Sequence, residues 1–373
     1  MSDICDYAAA GVRGLAPYKP GKPVAELQRE YGVSDAIKLA SNENPLGASP
    51  RAREAAAATL EEAAIYPDGG GFALRRRIAD HHGLAPEQVT LGNGSSDPLA
   101  FAVDVFVTPG DEVVYSAHAF ALYPLLTRAA GARGVEVPAT ADYGHDLEAM
   151  AAAITDRTRV VFVANPNNPT GTRVGTSALR AFLERVPAHT LAVVDEAYFE
   201  YAQDLDPDYP DASAWLADFP NLLVTRTFSK LHGLAGLRVG YGLSSPAVAD
   251  LLNRVRPPFN VNAPAQAAAL AAMDDPDHLA ASLAVNREGM AQLEAGLRER
   301  GLDRIPSVGN FLTFDTGGDA GEVHEALLRQ GIILRPMGEY GLPRYLRATI
   351  GRAEDNERLL AALDRALAET GRR

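Results

Sequence analysis

The chain has 373 residues, a formal net charge of −13 and a hydrophobic fraction of 47%. That hydrophobic fraction is ordinary for a globular core, and at about 150 residues per domain the length predicts roughly two domains. The negative charge argues against nucleic acid as a partner, because phosphate backbones bind to basic surfaces. A few arginines can still form a local positive pocket for a small anionic substrate.

The sequence gives no sign of a membrane or secreted protein. Its first residues lack the basic and apolar segments of a secretory signal. The most apolar stretch, 98–107, is too short to span a bilayer and contains Asp104. The single cysteine, Cys5, excludes an internal disulfide and is typical of a reducing compartment. We therefore expect a cytoplasmic protein without membrane contact.

The order of predicted elements indicates an α/β fold. Residues 1–40 contain many glycines and prolines and predict an irregular N-terminal arm. From 41 to 262, short apolar stretches that predict strands alternate with alanine-rich stretches that predict helices. This alternation is typical of a large three-layer domain with a mostly parallel sheet between helices.

A proline-rich segment, 256–264, predicts a domain boundary, because proline is excluded from helix interiors and central strands. We expect residues 263–373 to form a smaller C-terminal α+β domain. Its predicted elements are a long helical region broken near Asp274, strands near Phe311 and Gly331, and a closing helix from about Asp355.

A glycine-rich loop, Gly92–Pro98, follows the predicted strand Val89–Leu91. Glycine lets the backbone approach a ligand closely, and Pro98 suits the first residue of a helix. Free amides at a helix start bind anions. We interpret this loop as a phosphate site with Ser95 and Ser96 as donors.

Three later apolar stretches also predict strands, and each ends at polar residues. The strands are 160–163, 191–194 and 222–224, and the polar residues after them are Asn168, Asp195 with Tyr198, and Lys230. In open α/β sheets, ligands bind at the carboxyl ends of the strands. We therefore expect these four side chains to lie together.

This set of groups suits pyridoxal phosphate. A carboxylate such as Asp195 keeps the ring nitrogen protonated, so that the ring accepts electrons. Asn168 and Tyr198 can bind the phenolic oxygen of the ring. A partly dehydrated Lys230 has a lowered pKa and forms a Schiff base. The side chains expected to hold an anionic group beside this lysine are Thr227, Ser229 and Arg238.

These motifs resemble those of the fold-type I pyridoxal-phosphate aminotransferases, namely Asn-Asn-Pro-Thr-Gly, Asp-Glu-Ala-Tyr and Ser-Lys with a downstream arginine. Further motifs resemble the histidinol-phosphate aminotransferase family within that group. They are Ser41–Gly47, Tyr66–Asp68, Gly92–Ser95, Asn310–Phe311, Arg335 and Leu346–Arg347, with Gly351 following. The resemblance extends from about residue 18 to about residue 363.

The resemblance implies further roles around the cofactor. Phe120 would stack on the pyridine ring. Tyr66 would reach the cofactor phosphate of the partner subunit, which implies a homodimer with shared sites. Tyr123 is expected to belong to the core, and His232 to be partly exposed polar packing.

The resemblance also implies how substrates bind. Arg347 would bind the α-carboxylate of glutamate or 2-oxoglutarate, and Arg335 would help to hold the distal anion, which in histidinol phosphate is a phosphate. Tyr18 of the arm, with Asn42 or Asn44, would close the pocket.

The leading hypothesis is transamination between histidinol phosphate and 2-oxoglutarate, with Lys230 carrying the proton. One alternative is an aromatic amino-acid aminotransferase on the same scaffold. A second is a phosphorylated-amino-acid decarboxylase, which uses the same lysine and aspartate. An alternative of another class is a non-catalytic ligand sensor. We do not favour it, because it would need a DNA-binding domain and the enzyme motifs extend over nearly the whole chain.

Overall fold

The computed structural model describes residues 3–17 and 21–372. The strands are, in chain order, β1 (Ile37–Lys38), β2 (Val89–Gly92), β3 (Glu112–Ser116), β4 (Arg133–Val137), β5 (Thr158–Ala164), β6 (Leu191–Asp195), β7 (Leu222–Thr227), β8 (Gly240–Ser244), β9 (Arg304–Ile305), β10 (Phe311–Asp315), β11 (Ile332–Ile333), β12 (Arg335–Pro336) and β13 (Tyr345–Thr349). The α-helices are α1 (Ala10–Arg13), α2 (Val24–Tyr31), α3 (Pro50–Ala58), α4 (Phe72–His82), α5 (Ser96–Phe106), α6 (Leu122–Ala129), α7 (Leu147–Ala152), α8 (Thr176–Arg185), α9 (Phe199–Leu205), α10 (Pro246–Val255), α11 (Ala263–Met273), α12 (Pro276–Glu299), α13 (Ala320–Leu328) and α14 (Ala353–Glu369). Within the described ranges, none of these helices is long and apolar enough to cross a membrane.

A seven-stranded sheet forms the centre of the larger unit, in the order β2-β8-β7-β6-β5-β3-β4. Strand β8 runs antiparallel to both of its neighbours, and the other pairs are parallel. The register pairs Ala164 with Asp195 and Asp195 with Thr225. The carboxyl ends of β5, β6 and β7 therefore meet at one edge, as the sequence predicts.

Helices cover both faces of this sheet, because the side chains of each strand alternate between two apolar cores. On β5, Val161 and Val163 pack in a core with residues of α4, α8 and α11. Val160 and Phe162 of the same strand pack in a second core with residues of α5, α6 and α10. The predicted three-layer α/β architecture is confirmed.

The smaller unit contains an antiparallel sheet of order β12-β13-β10-β9. Its core combines Leu293 of α12 and Leu363 of α14 with Phe314 and Leu346 from neighbouring strands. The predicted strand at Phe311 and the closing helix are confirmed, although the helix begins at Ala353.

The prediction of an irregular arm is wrong for residues 24–38. The helix α2 buries Leu27 and ends at Gly32, which has a left-handed φ of 68°. Strand β1 then pairs in parallel with β11 of the smaller unit. Leu27 packs with Leu328 and Ile333, so this part of the chain belongs to the smaller core.

The domain limits of 1–40, 41–262 and 263–373 stay predictions. The packing of α11 favours a later second limit, because Ala265, Ala268 and Ala272 lie in a core of the larger sheet. The predicted break is present, since α11 ends at Met273 and α12 begins at Pro276.

Candidate active site

A cavity of about 160 Å³ lies at the carboxyl edge of the parallel strands. Its lining residues are Ser95, Ser96, Phe120, Ala164, Pro166, Asn168, Asp195, Ala197, Tyr198, Thr227, Ser229, Lys230 and Arg238. They include all of the cofactor-binding residues that the sequence predicts, except Tyr66. Residues from five separate stretches of the chain thus converge on one site.

Asp195, the last residue of β6, is 6% exposed and is surrounded by neutral donors. Its carboxylate accepts hydrogen bonds from the hydroxyls of Tyr123, at 2.8 Å, and Thr225, at 2.9 Å. Burial raises the pKa of Asp195, and these hydrogen bonds oppose that effect. A buried carboxylate with neutral partners is costly. A protonated pyridine nitrogen would reduce that cost, so the site fits pyridoxal phosphate.

Tyr123, which the sequence analysis assigned only to the core, contacts the predicted site through Asp195. It is fully buried on α6 and stacks on Phe162, with ring centroids 4.4 Å apart. Its hydroxyl reaches Asp195 across the second core. The signal in the sequence is its position three residues after Phe120, which lines the cavity.

Lys230 follows β7 in a largely dehydrated position. Its Nζ donates a hydrogen bond to the carbonyl of Ser41 at 3.1 Å and lies 5.5 Å from the ring centroid of Tyr198. Burial lowers the pKa of Lys230 to about 7, and the charge of Arg347 acts in the same direction. A large share of this amine is therefore uncharged near neutral pH and able to act as a nucleophile or base.

Tyr198 and Asn168 both line the cavity, and each is hydrogen-bonded to a neighbouring side chain. Tyr198 is buried and accepts a hydrogen bond from Asn42 Nδ2 at 2.8 Å. Burial raises the pKa of Tyr198 to about 12, opposed by Arg347 and by the hydrogen bond from Asn42. The phenol is therefore protonated at neutral pH. Asn168 Oδ1 accepts a hydrogen bond from Arg347.

The glycine-rich loop differs in one respect from the prediction. Helix α5 begins at Ser96, so Pro98 is its third residue and not its first. Ser95 precedes the helix and makes no side-chain capping bond. The Ser95 side chain therefore leaves the start of the helix open to an anion, although the Asp97 N–H donates to the carbonyl of Gly94 at 3.4 Å and Pro98 has no N–H.

Close packing around this loop explains two of its glycines. A Cβ atom on Gly94 would lie 2.3 Å from Arg238 Nη2, and one on Gly240 would lie 2.4 Å from the amide nitrogen of Ser95. Arg238 donates a hydrogen bond to Ser229 Oγ at 3.2 Å. A guanidinium, hydroxyls and helix amides thus meet at one end of the cavity, as a phosphate requires.

The two predicted substrate arginines face each other across an antiparallel strand pair. Arg335 of β12 and Arg347 of β13 are register partners, and they are 8% and 6% exposed. Arg335 pairs with Glu339 at 3.2 Å. Arg347 donates to the carbonyl of Ala40 at 2.8 Å and to Asn168. Arg347 is thus connected to the cavity through Asn168.

Asn44 and Tyr66 lie outside the cavity lining. Asn44 Nδ2 donates to the carbonyl of Leu231 at 2.6 Å and so supports the loop after Lys230. Tyr66 is 78% exposed and stacks on Phe259 at a centroid distance of 4.6 Å. Tyr18 lies outside the described residues.

His232 is buried, which contradicts the expectation of partial exposure. Its ring packs on Phe228 with centroids 4.8 Å apart, and burial lowers the pKa of His232 to about 4. This histidine is therefore neutral at physiological pH and packs behind the Lys230 loop.

Comparison with known proteins agrees with this site. The family model described as aminotransferase class I and II matches residues 34–363. Histidinol-phosphate aminotransferase 2 of Pseudomonas aeruginosa is 58% identical, over 99% of this chain and 100% of that one. Histidinol-phosphate aminotransferase 1 of Nitrosococcus oceani is 56% identical, over 97% of each chain.

The fold agrees as well. The crystal structure of histidinol-phosphate aminotransferase from Sinorhizobium meliloti in complex with pyridoxal-5'-phosphate matches with a TM-score of 0.89 and 30% identity, over 97% of each chain. The predicted fold-type I architecture, cofactor and resemblance are confirmed. The chain belongs to the class I and II aminotransferases, which depend on pyridoxal phosphate, and within them to the histidinol-phosphate aminotransferases.

Proposed function

We propose that the chain transfers the amino group between histidinol phosphate and 2-oxoglutarate in histidine biosynthesis, with pyridoxal phosphate in the cavity at the carboxyl edge of the sheet. The observation that carries this proposal is the convergence of Lys230, Asp195 and Tyr198 on that cavity. Identity of more than half to enzymes named for histidinol phosphate supports the substrate. The aromatic aminotransferase alternative is not favoured.

Different cavity residues would bind different parts of the cofactor. When bound, pyridoxal phosphate supplies an electron sink for the negative charge that develops on the substrate Cα. Asp195 would hold the proton on the ring nitrogen, and Asn168 with Tyr198 would hold the ring oxygen. Phe120 would cover the ring face. The phosphate would lie among Ser95, Ser96, Thr227, Ser229 and Arg238.

Lys230 would act on the substrate proton. With its pKa lowered to about 7, the amine is able both to accept a proton from Cα and to return it, which general acid–base catalysis near neutral pH requires. The carbonyl of Ser41, which accepts a hydrogen bond from the amine, holds it on one side. The same lysine would anchor the cofactor between turnovers.

Arg335 and Arg347 would bind the anionic groups of the substrates. A guanidinium binds carboxylate and phosphate alike through paired hydrogen bonds. Arg335 and Arg347 are register partners on the neighbouring strands β12 and β13. Arg347 also donates a hydrogen bond to the carbonyl of Ala40. This arrangement would let one pair of arginines serve both a carboxylate and a phosphate substrate.

We also propose a cytoplasmic homodimer in which Tyr66 reaches the partner's cavity. Tyr66 lies outside its own cavity lining and belongs to a group of large apolar side chains that are 43–78% exposed. They are Leu60, Ile65, Tyr66, Phe72 and Phe259. An apolar patch of this kind is typical of an interface. The reducing compartment is supported by the single cysteine, Cys5.

The proposed substrate is tested by steady-state turnover of histidinol phosphate, phenylalanine and tyrosine with 2-oxoglutarate. We expect kcat/KM for histidinol phosphate to exceed that for either aromatic amino acid by about tenfold or more, because a phosphate has more charge and one more acceptor oxygen for the two arginines than a carboxylate has. Equal or better use of phenylalanine would contradict the proposal. Release of carbon dioxide would support a decarboxylase instead.

A further inference from the structure

Asn42 lies between the two units in a conformation that the surrounding groups hold in place. Its φ of 57° is left-handed, a region that asparagine and glycine tolerate best. Its backbone N–H donates to Thr349 Oγ1 at 2.9 Å, and its carbonyl accepts from Asn310 Nδ2 at 3.1 Å. Both partners come from the smaller unit, and Asn42 itself is 1% exposed.

The hydrogen-bond network fixes which way the Asn42 amide points. The Thr349 hydroxyl oxygen accepts the Asn42 N–H, so its own proton is free to be donated to Asn42 Oδ1, 3.3 Å away. The amide oxygen faces Thr349 in the structure. The amide nitrogen faces Tyr198, whose hydroxyl oxygen lies 2.8 Å from Nδ2.

This orientation determines what Tyr198 can do. A phenol has one proton to donate, and here its oxygen accepts a proton from Asn42. The Tyr198 proton must therefore point to a different acceptor, and Tyr198 lines the cavity. We propose that Asn42, oriented by Thr349, is a positioning residue that makes Tyr198 a hydrogen-bond donor toward the cavity. The inference rests on the proposed function, in which the acceptor is the ring oxygen of pyridoxal phosphate.

The neighbours of Asn42 extend this role to the rest of the site. The carbonyl of Ala40 accepts from Arg347 at 2.8 Å, and that of Ser41 accepts from Lys230 at 3.1 Å. Three consecutive residues thus contact the substrate arginine, the lysine and the phenol. Thr349, which orients Asn42, belongs to β13 of the smaller unit. A displacement of that unit would therefore move the Asn42 amide that donates to Tyr198.

Two variants of Asn42 separate its amide from its backbone conformation. Asn42→Gly keeps a residue suited to positive φ but removes the donor. We expect its kcat to fall about tenfold, the scale of one lost buried hydrogen bond, with KM changed less than twofold. Asn42→Asp keeps size and conformation but presents an acceptor, which would take the Tyr198 proton. Its kcat should fall further, by about 100-fold.

A double-mutant cycle on the holoenzyme distinguishes this role from a merely structural one. In a Tyr198→Phe background, Asn42→Gly should lower kcat less than twofold further. The pH dependence of the bound cofactor's absorbance should shift in Asn42→Gly and in Thr349→Val. Thr349→Ser, which keeps the hydroxyl, should retain most of the turnover and the wild-type spectrum.

The proposal is overturned if Asn42→Gly and Asn42→Asp keep wild-type turnover and absorbance. It is also overturned if the losses from Asn42→Gly and Tyr198→Phe multiply, because Asn42 would then act independently of the phenol. The spectra need only protein and pyridoxal phosphate. Failure of the wild type to use histidinol phosphate would therefore refute the proposed substrate and leave the Asn42 result readable.

Discussion

Substitution of Tyr123 by phenylalanine removes one hydroxyl from the environment of Asp195. That hydroxyl donates to Asp195 Oδ2 at 2.8 Å in a fully buried position. The change keeps the ring and its stack on Phe162, at 4.4 Å, so the core loses little volume. The remaining hydroxyl donor to the carboxylate is Thr225, at 2.9 Å.

The size of the effect follows from the charge on the acceptor. A hydrogen bond to an ionised group contributes ~1.5–3 kcal/mol, and about 1.4 kcal/mol corresponds to a tenfold change. Loss of the Tyr123 donor raises the pKa of Asp195, since this hydrogen bond opposes the effect of burial. A more basic Asp195 would take a larger share of the proton from the ring nitrogen, so that the ring would accept electrons less well. We expect Tyr123→Phe to lower kcat by about ten- to 100-fold.

The assay is single-turnover amino transfer with histidinol phosphate, together with the pH dependence of the bound cofactor's absorbance. Tyr115→Phe is the matched control, because Tyr115 is a buried tyrosine of the same core, whereas the hydroxyls that donate to Asp195 are those of Tyr123 and Thr225. It should leave kcat within about twofold of wild type. Unchanged turnover and absorbance in Tyr123→Phe would refute the claim that this phenol supports Asp195.

Three further predictions concern the lysine, the substrate arginine and the dimer. The rate at which the apoprotein forms its covalent bond to pyridoxal phosphate should rise with pH and level off above about 7, because burial lowers the pKa of Lys230 to about 7. A rise that continues to pH 10 would contradict this prediction. Arg347→Lys keeps the charge but loses the planar fork, so steady-state kcat/KM should fall about tenfold or more for both histidinol phosphate and glutamate; a loss with only one of them would separate the two anion sites. Mixing equal amounts of Lys230→Ala and Tyr66→Ala subunits should restore about a quarter of the wild-type activity if Tyr66 acts in the partner's site, since about half of the dimers are then mixed and one of the two sites of each mixed dimer is intact; no gain on mixing would place Tyr66 outside the shared site.

Features that depend on local pattern were predictable from the sequence. The apolar runs before Asn168, Asp195 and Lys230 are strands, and their shared sheet edge follows from parallel pairing. The helix α2 was missed because its apolar spacing is short and lies among glycines and prolines. The start of α5 was predicted at Pro98, but the helix begins two residues earlier, at Ser96, because proline also fits a later position in the first turn of a helix.

Features that depend on contacts between distant segments were not predictable in this way. Tyr123 and Asp195 are 72 residues apart, and Asn42 and Tyr198 are 156 apart. Neither pair shares a periodicity that a single sequence reveals. The same holds for Asn44, whose side-chain amide donates to the carbonyl of Leu231, 187 residues away.

The central claim is that the cavity holds pyridoxal phosphate on Lys230, and reduction with borohydride followed by peptide mapping tests it most directly. The sequence makes the result easy to read, because its lysines are Lys19, Lys22, Lys38 and Lys230. Three of them lie in the first 38 residues, so the peptide that contains Lys230 is distinct. We predict one pyridoxyl group per chain, on Lys230, and its loss in Lys230→Ala. Label on Lys22 or Lys38 would contradict the account. So would the absence of a reducible link in protein that has bound pyridoxal phosphate.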